Sequence, residues 1–114
     1  MRLKFFVHDN EREGTAYHEF YKGKWDGKTF WSKDSICLHD DTLVEHDGFY
    51  RALLEMVPGY DPYAIPVEVS KETWGKVRDA IPNDDMESIE LYHEADIWAK
   101  EAFDKDGCFT ILGI

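Results

Sequence analysis

The chain has 114 residues, enough for one compact domain and too few for two with separate cores. Hydrophobic residues make up 43% and aromatics 15%, which excludes disorder, because rings at this density bury enough apolar surface to offset the ordering entropy. Against 13 Lys and Arg stand 24 Asp and Glu, a net charge of −11 at pH 7 that argues against nucleic acid or an anionic membrane as a direct partner.

Leu3 to His8 is a short apolar run suited to a first strand, and Asn10 to Gly14 is a polar break that supplies a turn. From Thr15 to Tyr21, Tyr17, Glu19 and Tyr21 alternate with Ala16, His18 and Phe20, the period of a strand with two unlike faces. Gly23 to Gly27 reads as a turn, Lys28 to Ser32 as a third strand, and Ser35 to Leu38 as a short fourth one. The period then changes. Between Thr42 and Val57 the apolar positions form a helical stripe weakened at Gly48, so a short helix or turn precedes a helix starting near Asp47. Pro58-Gly59 stops it, and Ala64 to Val69 returns to strand. Ser70 caps the next helix, with Glu72 in its first turn and Trp74, Val77 and Ile81 on its buried side. Asp84 and Glu87 have capping-box spacing for a last helix carrying Ile89, Tyr92, Ala95, Ala99 and Ala102 along one side. Gly107 closes that helix, and Cys108 to Leu112 is the final strand. The expectation is a single α+β domain over residues 1–114, an antiparallel sheet packed against about three helices in the order βββ(β)-α-β-α-α-β.

No apolar stretch approaches the roughly 20 residues of a membrane helix. The apolar run of the opening Met1 to Asp9 is too short for a signal peptide, so a cytoplasmic location is expected. Cys37 and Cys108, both flanked by strand-like sequence, are then expected to be reduced core thiols.

Catalytic patterns fail on inspection. Each of the five histidines precedes an acid, but neighbours on a strand face opposite ways and on a helix diverge by about 100°. His18-Glu19-Phe20-Tyr21-Lys22 lacks the second His of a zinc-protease helix, and Glu90-Leu91-Tyr92-His93 lacks the partner segment of a di-iron bundle. Gly23 to Thr29 has Lys22 where a phosphate loop needs its first Gly. Cys37 and His39, two apart, share a strand face, where a packed Cys is the simpler reading than a nucleophile with its base. His39, Asp41 and His46 are the best remaining metal cluster. No catalytic residue, metal ligand or cofactor is assigned.

Charge is the stronger signal. Residues 1–33 carry net +2, residues 34–70 net −7 and residues 71–114 net −6. A field of this sign speeds encounter with a basic partner. Acids cluster at Asp40, Asp41, Glu45 and Asp47, and again at Asp84, Asp85, Glu87, Glu90 and Glu94, where the helix start itself favours negative charge. Tyr60 and Tyr63, beside Asp61, and Trp25, beside Asp26, lie in loops. Exposed rings among acids suit a contact surface for Arg and Lys.

Three segments carry a resemblance. They are Leu38 to Val44, Leu53 to Asp61, and the strand-to-helix passage Glu68-Val69-Ser70-Lys71-Glu72-Thr73-Trp74. Together, mainly over residues 36–81, they resemble the small acidic immunity proteins of bacterial polymorphic toxin and contact-dependent growth inhibition systems. Many of those carry a strand–Ser–x–Glu–x–Trp–helix passage and end in a short apolar strand. The resemblance implies inhibition by binding, with a cognate toxin of basic surface, often a nuclease, as the partner. It carries over no site residues, because toxin-contacting positions vary within those families. On charge and aromatic content the contact surface is expected at Asp40, Asp41, Glu45, Asp47, Tyr60, Asp61 and Tyr63. Two other readings compete: a phage or mobile-element DNA mimic that inhibits a host nuclease, and a small metal-dependent enzyme built on His39 and His46.

Overall fold

The computed structural model describes residues 3–63 and 66–113. Among these, five strands form one antiparallel sheet: β1 (Phe6–His8), β2 (Tyr17–Lys22), β3 (Ile36–His39), β4 (Val67–Ser70) and β5 (Cys108–Leu112), in the spatial order β1-β3-β2-β5-β4. Four helices accompany it: α1 (Asp40–Glu45), α2 (Asp47–Met56), α3 (Lys71–Ala80) and α4 (Met86–Asp106). The molecule is α+β, with its elements in the expected order.

Strand alternation sets the two faces of the sheet. Register aligns Phe6 with Leu38, Phe20 with Ile36 and Ile111, and Val69 with Phe109, so all of these point to the helices and form the core. The helix α4 lies close to this face because its buried positions are small: Ala95, Ala99 and Ala102 have no exposed surface. Trp74 fills the space between α3 and α4. Its ring stacks on Tyr92 at 4.5 Å, meets Phe109 edge-on at 5.2 Å, and its indole N–H donates to Asp96 at 2.9 Å.

Helix boundaries follow local chemistry. The Ser70 hydroxyl accepts the Thr73 N–H and starts α3, as expected. The cap of α4 is Asp85, which accepts the Ser88 N–H, one residue later than the Asp84–Glu87 spacing suggested. His46 breaks the first helical stretch into α1 and α2.

Two expectations about strands are corrected, and a third lies partly outside the described residues. Lys28 to Ser32 is not a strand: Trp31 has a φ of 60°, which no strand accommodates, and Asp26 accepts the N–H groups of Lys28 and Thr29 to make a turn. The first strand begins at Phe6 and not Leu3, because the N–H groups of Lys4, Phe5 and Phe6 donate to the Glu94 carboxylate of α4. The β4 strand runs from Val67 to Ser70; Ala64 and Ile65, expected to open it, lie outside the described residues. Among the described residues no helix is long and apolar enough to cross a membrane.

Candidate functional site

The acids expected at the contact surface follow one another along α1, α2 and the loop after α2. Asp40 and Asp41 open α1, where exposed N–H groups favour negative charge. Asp41 is exposed, and its N–H donates to His39 Nδ1 at 3.0 Å, so His39 acts as the helix cap. Glu45 is exposed at the far end of the same helix. Asp47 opens α2, and one of its oxygens lies 2.9 Å from Arg51 Nε one turn on. Asp61 is exposed and accepts the Tyr63 N–H at 2.9 Å.

Asp40 differs from these. Its Oδ1 takes His18 Nε2 at 2.9 Å and the Tyr63 hydroxyl at 3.1 Å, so the carboxylate is turned partly inward. The phenol of Tyr63 is pushed up to about 12, by loss of solvation first and by the Asp40 carboxylate it donates to. Tyr63 itself is 53% exposed. Tyr60 is a correction. It is 9% exposed and packs in the core under α2, so it offers a partner no surface. Trp25 is half-buried, tilts against Phe30, and gives its indole N–H to the Thr29 carbonyl.

Packing adds residues that the chain order did not connect. A cleft of about 410 Å³ lies between α2 and the turn joining α3 to α4, lined by Asp47, Glu55, Asp84 and Asp85 together with Arg51 and Gly48. Four carboxylates face one guanidinium there, and Asp47 already pairs with it. Glu55, 29 residues before Asp84 in the chain, carried no sequence signal. Two acids of α4 are engaged within the fold: Glu94 accepts the N–H groups of Lys4, Phe5 and Phe6, and Glu90 pairs with Lys4 at 2.9 Å.

The metal trio does not assemble. Among the described residues no group of three His, Cys, Asp or Glu side chains is placed to hold one ion. His39 Nδ1 is occupied by the Asp41 N–H, and His46 Nδ1 donates to the Thr42 carbonyl at 2.7 Å. Cys37 is buried on the outer face of the sheet, and burial pushes its thiol up to about 12, so it stays protonated.

Comparison with protein-family models, with curated proteins and with solved structures finds no match for this chain.

Proposed function

We propose that this protein neutralises a cognate bacterial toxin by binding it, as the immunity proteins it resembles do, with the acidic surface of α1, α2 and the adjoining cleft against a basic region of the toxin. The observation that supports this reading most is the cleft, where Asp47, Glu55, Asp84 and Asp85 outnumber the single Arg51. Carboxylates brought together around one concavity raise the local negative potential and favour a Lys or Arg side chain entering it. Exposed Asp41 and Glu45 extend the same sign along α1. Such charges mainly accelerate association, whereas buried contacts set how slowly the complex parts.

The test is co-expression with the product of the adjacent upstream gene, asking whether that product kills cells and whether this protein relieves it. Replacing Asp41, Glu45, Glu55 and Asp84 together by Lys leaves the α4 cap intact. It is expected to slow association by roughly tenfold or more and to flatten its salt dependence. Undiminished rescue by that variant discards the acidic surface as the interface.

A further inference from the structure

His18 is 1% exposed and is the second residue of β2, yet only half of its imidazole is satisfied. Nε2 donates to Asp40 Oδ1 at 2.9 Å, while Nδ1 is buried with no hydrogen-bond partner among the described residues. A neutral ring with its proton on Nε2 fits this pocket, since a lone pair can be buried more cheaply than an N–H. The same Asp40 oxygen accepts the Tyr63 hydroxyl at 3.1 Å, and the Tyr63 ring centre stands 6.1 Å from that of His18.

We propose that His18, Asp40 and Tyr63 form a proton-operated latch: the shared carboxylate holds Tyr63 down while His18 is neutral, and a second proton on Nδ1 releases it. The proton comes from solvent and creates a cationic donor with no acceptor among the described residues. Water must reach it, and Tyr63 is the neighbour that moves at least cost, because it is half-exposed and sits on a loop, whereas Tyr60 is buried and Asp40 and Tyr50 belong to helices. The imidazolium also draws the Asp40 charge to itself, which leaves a poorer acceptor for the neutral phenol.

The groups facing this centre are few. Burial, and to a smaller degree His39 from the end of β3, oppose the charged ring; together they outweigh Asp40 from α1, which favours it, and hold His18 below its usual 6.5. From the loop come the phenols of Tyr60 and Tyr63, with Tyr50 of α2 close to both. None of these supplies a base for Nδ1–H. If Asp40, Asp61 and Tyr63 belong to the toxin-binding surface, release at mildly acidic pH reshapes one edge of it; that consequence rests on the proposed function, and the latch itself does not.

The latch is tested on the isolated full-length protein by NMR, following the His18 ring nitrogens and the Tyr63 ring through a titration from neutral to mildly acidic pH. The expected result is Nε2–H imidazole at neutral pH, a His18 midpoint below 6.5, and a Tyr63 shift change with that same midpoint. His18→Gln keeps a donor to Asp40 but cannot titrate, and is expected to abolish the Tyr63 step. Tyr63→Phe, at an exposed position, leaves Asp40 to His18 alone and is expected to move the His18 midpoint upward. A Tyr63 signal that stays flat through the His18 titration overturns the proposal, as does a step that survives in His18→Gln. Should His18→Gln not fold, an unchanged His18 midpoint in Tyr63→Phe overturns it equally.

Discussion

The Glu19 carboxylate, buried on the outer face of the sheet, accepts the Trp31 N–H at 2.7 Å and thereby fixes a tryptophan in the left-handed region. Two more donors close the ring around it, the Ser32 N–H at 3.0 Å and the Ser35 hydroxyl at 2.6 Å. The Arg12 guanidinium covers Trp31 from outside at 3.7 Å. A charged side chain is thus the keystone of the 23–35 loop, and its three donors offset the cost of removing it from water.

Glu19→Gln keeps the shape but turns an N–H₂ toward groups that also donate. It is expected to destabilise the fold by about 1–3 kcal/mol, and Ser35→Ala by about 1 kcal/mol. Urea unfolding measures both. A Glu19→Gln variant as stable as the natural chain would show that the loop is held by something else.

Gly48 lies where α2 meets the cap of α4. A methyl group there would overlap the Asp85 carboxylate and come within 3.2 Å of Ser88 Oγ. Asp85 cannot swing aside freely, because its other oxygen accepts the Ser88 N–H. Gly48→Ala is therefore expected to destabilise by about 1 kcal/mol, the lost cap outweighing the better helix propensity of Ala. Gly75, in α3 with nothing near its missing side chain, is the control. Gly75→Ala is expected to stabilise by about 0.5–1 kcal/mol. Thermal melts of the two variants should move in opposite directions.

Burial depresses the basicity of His18, so folding carries a pH dependence of definite sign. As pH falls through 6.5 the unfolded chain takes up a proton that the folded chain still refuses, and the unfolded state is favoured. The contribution of His18 is complete above 6.5 and is lost on descending from there to its lower folded value. Denaturant midpoints across this range, natural chain against His18→Gln, isolate the effect from the carboxylates. The difference should shrink steadily with acid; a constant difference contradicts the assignment.

The two thiols differ in burial and should differ in reactivity. Cys37, on β3, is held protonated to about 12 by desolvation, and Cys108, half-buried at the start of β5, is raised for the same reason to a smaller degree. In the native state a thiol reagent is expected to label Cys108 slowly and Cys37 only after unfolding. Peptide mass spectrometry with and without denaturant separates the sites. Faster native labelling of Cys37 than of Cys108 would show that β3 opens independently of the rest.

Much of the architecture is legible from period alone. The alternation from Tyr17 to Tyr21 places Phe20 inward and Glu19 outward, and the spacing of Trp74, Val77 and Ile81 gives α3 its buried side. Errors arose where a distant group intervened. Lys28 to Ser32 has strand composition, but Glu19 draws the Trp31 and Ser32 N–H groups to itself. Tyr60 and Tyr63 are indistinguishable in sequence, and only packing under α2 sorts one inward and the other outward.

Composition and spacing by themselves determined the class of fold, the order of its elements and the excess of acid after residue 33, because side-chain direction repeats with local backbone geometry and net charge needs only counting. Tertiary structure decided which acids are spent and which are free. Glu94 is bound to Lys4 across 90 residues and Asp40 to His18 across 22, while Glu55 and Asp84 are left to face solvent in a common cleft. Such pairings depend on which surfaces meet when helices close over the sheet, and no local period encodes a meeting between remote segments.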